Sequence, residues 1–482
     1  MSPLTATILY FIGIAGLFWL NRDPEARTSK ALWIPTIWLL IAASRTVSQW
    51  LAAFGLFGMT SAQGSSDLTS PDQILDGSPL DRNIFIGLLV LGLIVLWVRR
   101  QKVGDLLREN WPILLFLFYC AVSIIWSDFA DVSFKRWIKA LGDVVMLMIV
   151  LTDPDPISAI KRYLARVGFV LVPISILLIK YYPNIGRNYD FFTFVPFYNG
   201  VATGKNLLGM MCMIVGIASV WRILLLLRRR DGGRTRGPLI AHITLVAMIL
   251  WLFGMADSVT SLSCFLMAVG LMAITSLRFV AKRRWVVLAM IVTILCVSLS
   301  ALFLDVGGAA LESMGRNATL TGRTEIWSLV LTMTGNPVLG TGFESFWLGK
   351  RLQKIWDLYW WHPNEAHNGY LEVYLNLGWI GVTLFAILVV TGYRNVIRLF
   401  RRDPDLGRLK LAYFVIALVY NLTESGIRTL DPIWIIFLFA TMAVPDATLS
   451  EDQLALGDTD TPAESEAHHV QLVGAKLRQV RT

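Results

Sequence analysis

The chain has 482 residues, of which 55% are apolar, 12% aromatic and only 16% charged, and its mean hydropathy is +0.59. That balance excludes a soluble globular protein of this size. The net charge of +9 is dispersed through alternate short loops rather than gathered on one basic face, which excludes nucleic acid as the expected partner.

In chain order, apolar runs begin near Leu4, Ala31, Ile84, Pro112, Ile138, Ile160, Asn206, Leu239, Val259, Trp285, Leu371, Leu409 and Pro432. Lipid leaves backbone groups no partner but one another, and the alternating pattern of barrel strands is absent. The fold class expected is therefore all-α, a polytopic transmembrane helical bundle of about 12–13 spans, each needing roughly 20 apolar residues. The first run has no basic residue before it and charges directly after it, so it reads as a retained span and not a cleaved leader. Arg45 and Gln49 interrupt the second run, which is expected to lie partly along the interface. Basic loops hold Arg22, Arg27 and Lys30; Arg99, Arg100 and Lys102; Lys161, Arg162 and Arg166; Arg228 to Arg236; Arg278 to Arg284; and Arg398 to Arg402. The positive-inside rule makes these cytoplasmic and puts the N-terminus outside. Cys120, Cys212, Cys264 and Cys296 lie in apolar runs without CxxC spacing, so neither disulfides nor thiolate metal sites are expected.

Three outward segments exceed a turn: 45–82, rich in Ser, Gly and Asp; 180–205; and 305–370. No fixed-period repeat or pair of inverted halves is evident. The expected organisation is a transmembrane catalytic domain over 1–445, including the outward loop 305–370, and a disordered, acidic cytoplasmic tail over 446–482. His468 and His469 in that tail read as solvated residues, since nothing fixes their geometry for a metal.

The third outward segment carries Trp327, Trp347, Trp356, Trp360 and Trp361 with Phe343, Phe346, Tyr359 and Tyr370, interleaved with Arg323, Glu325, Glu344, Lys350 and Arg351. Such aromatics serve either as interfacial anchors or as stacking platforms for sugar rings. Within it, Gly322-Arg323-Thr324-Glu325-Ile326-Trp327, Asn336-Pro337-Val338-Leu339-Gly340-Thr341-Gly342-Phe343, His367-Asn368-Gly369-Tyr370-Leu371-Glu372 and Leu377-Gly378 occur in order. Together they resemble the O-antigen ligase and Wzy-type polymerase superfamily. Upstream, Lys180-Tyr181-Tyr182-Pro183, Gly186-Arg187, Gly200-Val201 and Gly204-Lys205-Asn206 resemble its exopolysaccharide-production polymerase branch.

The resemblance implies a multi-helix, GT-C-like glycosyltransferase that takes glycan from an undecaprenyl-diphosphate carrier at the outer face of the bacterial inner membrane. It implies no cofactor, neither nucleotide sugar nor metal. Expected partners are the lipid-linked oligosaccharide, membrane lipid, and chain-length regulator and export proteins.

Elementary chemistry suits these residues. Diphosphate leaving an anomeric carbon gathers negative charge, and guanidinium matches phosphate oxygens while staying protonated. Arg323 and Arg187, with Lys205, are the expected diphosphate ligands. An ion pair with Glu325, or lipid headgroup binding, is the plainer role for these cations. An acceptor hydroxyl needs a base, and His367, aligned with the superfamily His-Asn pair, is the expected general base. Capping or a satisfied hydrogen bond is its alternative, and His362 has the weaker claim. Glu372, at i+5, is expected to orient the imidazole or bind a sugar hydroxyl, with helix packing as its alternative. Asn368, Tyr370, Glu325 and Trp327 complete the expected substrate-contacting and orienting set. Asp143, Asp257 and Glu424 are ionisable groups at membrane depth, of which Asp257 and Glu424 are expected to shape the cavity and not to catalyse. Gly340-Thr341-Gly342 follows no strand, so it reads as a turn and not a nucleotide loop.

The function expected is polymerisation of lipid-linked repeat units. Rivals are an O-antigen ligase acting on lipid A-core, a flippase or transporter without chemistry, and a polysaccharide-binding scaffold.

Overall fold

The computed structural model describes residues 1–56, 77–189, 195–228, 235–277, 279, 283–303, 320–359 and 361–444. The tail with His468 and His469, the boundary expected near 445, Trp360, positions 305–319 and the side chain of Arg323 lie outside the described residues.

The helices are α1 Pro3–Leu20, α2 Trp33–Ala42, α3 Val47–Ala53, α4 Pro79–Val98, α5 Arg100–Glu109, α6 Trp111–Val122, α7 Ala130–Leu151, α8 Pro156–Tyr181, α9 Pro183–Gly186, α10 Lys205–Arg228, α11 Arg236–Ala256, α12 Val259–Ile274, α13 Arg284–Phe303, α14 Leu320–Thr332, α15 Gly349–Leu358, α16 Gly369–Arg402, α17 Pro404–Tyr420 and α18 Pro432–Thr441. One small hairpin, β1 Arg187–Tyr189 and β2 Pro196–Tyr198, is antiparallel with Arg187 opposite Tyr198. Every apolar run read from the sequence is helical. Among the described residues, six helices can cross a membrane by length and composition, or eight if each of two bent pairs is one span, and three shorter apolar helices accompany them. One bent pair, α2 and its leading 3-10 turn with α3, turns by 56° where Arg45 interrupts the run. The protein is a multi-pass, all-α membrane protein.

Burial sorts the helices. In α8 and α10, 78% and 72% of the apolar window is covered by protein, whereas α1 and α4 are covered over only 11% and 22% and turn their apolar surface outward to lipid. Short α18 is wholly buried, so it need not match the bilayer's thickness.

Antiparallel packing sets two ends. Tyr413 of α17 bonds the Ile214 carbonyl of α10 mid-helix, and Trp221 bonds the Asp405 carbonyl, so the starts of α10 and α18 share an end with the finish of α17. At the other end the basic loops meet: Arg99 reaches Ser29 and Asp153, Arg162 reaches Thr28 and the Asp23 carbonyl, and Arg228 reaches Asp405 and Ser276.

The longest helix, α16, is broken. Gly378 has φ 62° and ψ −164°, which interrupts the helical ladder after Leu377. The Asn-Pro…Gly-Thr-Gly-Phe segment repairs the break. Thr341 and Gly342 N–H groups donate to the Leu375 and Asn376 carbonyls, Tyr119 hydroxyl donates to the Leu377 carbonyl, and Trp379 and Ile380 N–H groups donate to Pro337 and Val338. Backbone freed inside an apolar bundle requires such partners. Glycine is needed on both sides, since a Cβ at Gly378 would lie 2.3 Å from the Val338 oxygen and one at Gly340 2.5 Å from Asn376 backbone.

The described part of the third outward segment is not an extended loop. α14 and α15 pack Ile326, Val330, Leu352, Ile355 and Trp356 against Phe346, Trp347, Ala366 and Leu375, a small core seated on the start of α16.

Candidate active site

His367 immediately precedes the N-cap of α16. Asn368 caps the helix by accepting from Leu371 N–H, and its own amide donates to the Leu422 carbonyl in the loop between α17 and α18. Gly369 N–H donates to the Asn421 and Glu424 carbonyls, and a Cβ there would lie 2.1 Å from Asn421 Oδ1. The His-Asn-Gly triplet is thus a docking piece that sets His367 against that loop. His367 itself takes a left-handed backbone, φ 49°, a conformation costly for a residue with a side chain.

The imidazole lies between two carboxylates. Nδ1 is 3.1 Å from Glu365 Oε1 and 3.3 Å from Glu424 Oε2, and all three side chains are mostly buried. Two carboxylates on one nitrogen require that Nδ1 carry the proton, which leaves Nε2 as the exchanging atom. Burial disfavours the imidazolium, but the hydrogen bonds and charges of Glu365 and Glu424 outweigh it and raise His367 to about 9. Glu365 is held in turn by Arg428, whose NH1 lies at 2.7 Å, and Arg428 Nε lies 3.5 Å from Asp431.

Glu372 does not orient the imidazole. Its carboxylate accepts from Trp347 Nε1 at 2.8 Å and from Ala366 N–H at 2.6 Å, because the chain leaves the helix at Asn368 and His367 is not on the helical spiral from which i+5 was counted. Its hold on His367 runs through the Ala366 backbone. Trp327 acts on the same residue, donating to the Ala366 carbonyl at 2.8 Å. The orienting groups are instead Glu365 and Glu424, the second of which was expected only to shape the cavity.

The remaining expected residues divide. Tyr370 hydroxyl donates to the Leu418 carbonyl, a packing role, and Glu325 is exposed on α14. Position 323 lies on α14 one turn before Trp327, on the same helical face by its i, i+4 spacing. Trp347 and Trp356 are buried, Trp356 bonding the Pro363 carbonyl and stacking on His362 at 4.6 Å, so they form core and not a sugar platform. Trp361 remains exposed.

Arg187 and Lys205 share the His367 end but sit apart from the cluster. Arg187 Nε donates to the Ile179 carbonyl and its guanidinium lies over Tyr198 at 5.5 Å. Buried Arg45 braces this hairpin through the Ile185 and Gly200 carbonyls. Lys205 Nζ, half-exposed at the start of α10, is 4.0 Å from Asp257. Among the described residues no hydrogen bond or ion pair joins Arg187 or Lys205 to His367, so a substrate would have to bridge them.

Glu365, His367 and Glu424 offer donor atoms within 4.8 Å of one another, a set with the chemistry to hold a divalent ion. Arg428 supplies a cation to the other oxygen of Glu365, Oε2.

Residues 235–386 match the O-antigen ligase family, a span that takes in His367 and both partners of the repaired helix break but ends before Glu424 and Arg428. Over 314 residues, 64% of this chain and 69% of the relative, the protein is 24% identical to the exopolysaccharide production protein ExoQ of Rhizobium meliloti (strain 1021). By these matches the chain is similar to an O-antigen ligase family over its second half and to a protein of exopolysaccharide production.

Proposed function

We propose that the protein is a metal-independent, inverting glycosyltransferase that joins undecaprenyl-diphosphate-linked oligosaccharide repeat units into exopolysaccharide at the periplasmic face of the inner membrane. The observation that carries this reading is the His367 imidazole held through Nδ1 by Glu365 and Glu424, at the end of the bundle where Arg187 and Lys205 also lie.

The acceptor sugar's hydroxyl gives its proton to Nε2 of neutral His367 as its oxygen bonds to the anomeric carbon of a second carrier-linked chain. The carbon–oxygen bond to diphosphate breaks on the opposite face, and the electron pair leaves with undecaprenyl diphosphate. Arg187, Lys205 and Arg323 offset the charge gathering there, and the anomeric configuration inverts. The new positive charge on His367 is stabilised by Glu365 and Glu424, as a carboxylate stabilises imidazolium in hydrolase triads. Tests need purified protein in vesicles with a synthetic undecaprenyl-diphosphate repeat unit. Polymer whose new linkage is inverted by NMR supports the reading, and polymer from His367→Ala at the wild-type rate overturns it.

The O-antigen ligase description of the matching family favours a second reading, transfer of glycan to lipid A-core by the same residues. Supplying lipid A-core in place of the lipid-linked acceptor separates the two.

A further inference from the structure

We propose that Glu344 is a positioning residue whose carboxylate fixes the loop that presents Glu424 and Arg428 to His367. The inference rests on the reading of His367 as the acid–base centre.

Glu344 follows the Gly-Thr-Gly-Phe turn and has a left-handed backbone, φ 47°. Leu430, in the loop between α17 and α18, is left-handed as well, φ 61°. Non-glycine residues persist there only where surrounding contacts impose it. The contacts are specific. Thr429 N–H donates to Glu344 Oε1 at 2.6 Å, and Leu430 N–H donates to Asp143 Oδ2 at 3.1 Å. Asp143, inside α7, also accepts from Trp38 Nε1 at 2.8 Å. Arg136, about two turns earlier on α7, donates to the Glu344 carbonyl and lies 3.9 Å from its carboxylate.

Two carboxylates from separate elements therefore grip consecutive N–H groups of one loop. Arg428 precedes that grip, and Arg428 holds Glu365, which holds His367. A shift of Thr429 moves Arg428 and leaves the charge on Glu365, and with it the proton affinity of His367, altered. The backbone contacts make Glu344 a positioning group, and it shares with Glu372, Arg428 and Thr429 the lining of a cavity of about 30 Å³. The charged and titratable groups facing this junction are Cys120, Arg136, Lys139, Asp143, Glu365, Glu372, Arg428 and Asp431, so the Glu344 variants compared leave all eight in place.

The test uses the full chain in vesicles with the carrier-linked repeat unit, comparing wild type, Glu344→Ala, Glu344→Gln and His367→Ala. Expected for Glu344→Ala are a kcat lower by about 10- to 100-fold, as for a misplaced catalytic group, a nearly unchanged KM, and a displaced midpoint in the pH–rate profile. Glu344→Gln keeps the Oε1 acceptor for Thr429 and is expected to recover most of the rate and the wild-type midpoint. An unchanged midpoint, with a rate that falls only in proportion to folded protein, overturns the inference while an inactive His367→Ala leaves the site reading standing. Activity in His367→Ala removes that reading instead. If Glu344→Ala does not fold, Glu344→Asp, which withdraws the carboxylate by one methylene, takes its place with the same two outcomes.

Discussion

His367 Nδ1 and Glu424 Oε2 meet at 3.3 Å across 57 residues of chain, joining the start of α16 to the loop before α18. The contact sets which imidazole nitrogen holds the proton and makes a carboxylate outside the matched family segment part of the site.

Removing the base is the bluntest consequence. His367→Ala is expected to lose about 10²- to 10⁴-fold in kcat per folded molecule, the usual contribution of a positioned proton acceptor. Initial rates of polymer formation check this.

The pH dependence has a definite sign. With His367 near 9, the neutral imidazole is roughly one part in a hundred at pH 7, so the rate should climb tenfold per pH unit and level off above about pH 9. Glu424→Gln removes one group that favours the imidazolium, so the plateau should begin at lower pH. A wild-type profile flat from pH 6 to pH 9 contradicts the assignment of His367 as base.

Stability should move the other way. The folded-state pKa of His367 lies above the unfolded value near 6.5, so its pairing with Glu365 and Glu424 is fully stabilising below about pH 6.5 and is lost as pH rises through about 9. Thermal melts in detergent should show this contribution fading between those limits in wild type, and not in Glu365→Gln/Glu424→Gln.

Arg187 offers a test of the leaving-group side. Arg187→Ala is expected to lower kcat/KM by about 10- to 100-fold if its guanidinium meets diphosphate, the range of a charged hydrogen bond. Arg187→Lys should recover only part, because a point charge lacks the planar fork. A variant equal to wild type assigns Arg187 to bracing the hairpin alone.

Gly378→Ala addresses the fold. A Cβ would meet the Val338 oxygen at 2.3 Å on a backbone with φ 62°, so destabilisation beyond about 1 kcal/mol is expected. Loss of melting temperature in detergent measures it.

Much of the architecture was legible because lipid imposes one rule on every segment: pair the backbone internally and face outward with apolar side chains. That rule placed the helices, and the positive-inside rule put the basic loops on one side, while the run interrupted at Arg45 and Gln49, expected to lie partly along the interface, bends there by 56° in the fold. His367 stood out by its match to the His-Asn pair of the resembling superfamily, not by either rule. Contacts between distant segments follow no such local rule. Glu365 carried no expectation and Glu424 read as a cavity wall, since nothing in a linear pattern reports which carboxylate a folded chain will bring to an imidazole. Glu372 shows the converse: its spacing suggested a partner for His367, yet the chain turns at Asn368 and hands its carboxylate to Trp347 and Ala366. The glycine-rich turn likewise carried no visible purpose until the break at Gly378 showed which backbone groups it serves. Periodicity and polarity, being local, decided the helices; the acidic clamp around His367 came from tertiary packing, which alone fixes distances between residues far apart in the chain.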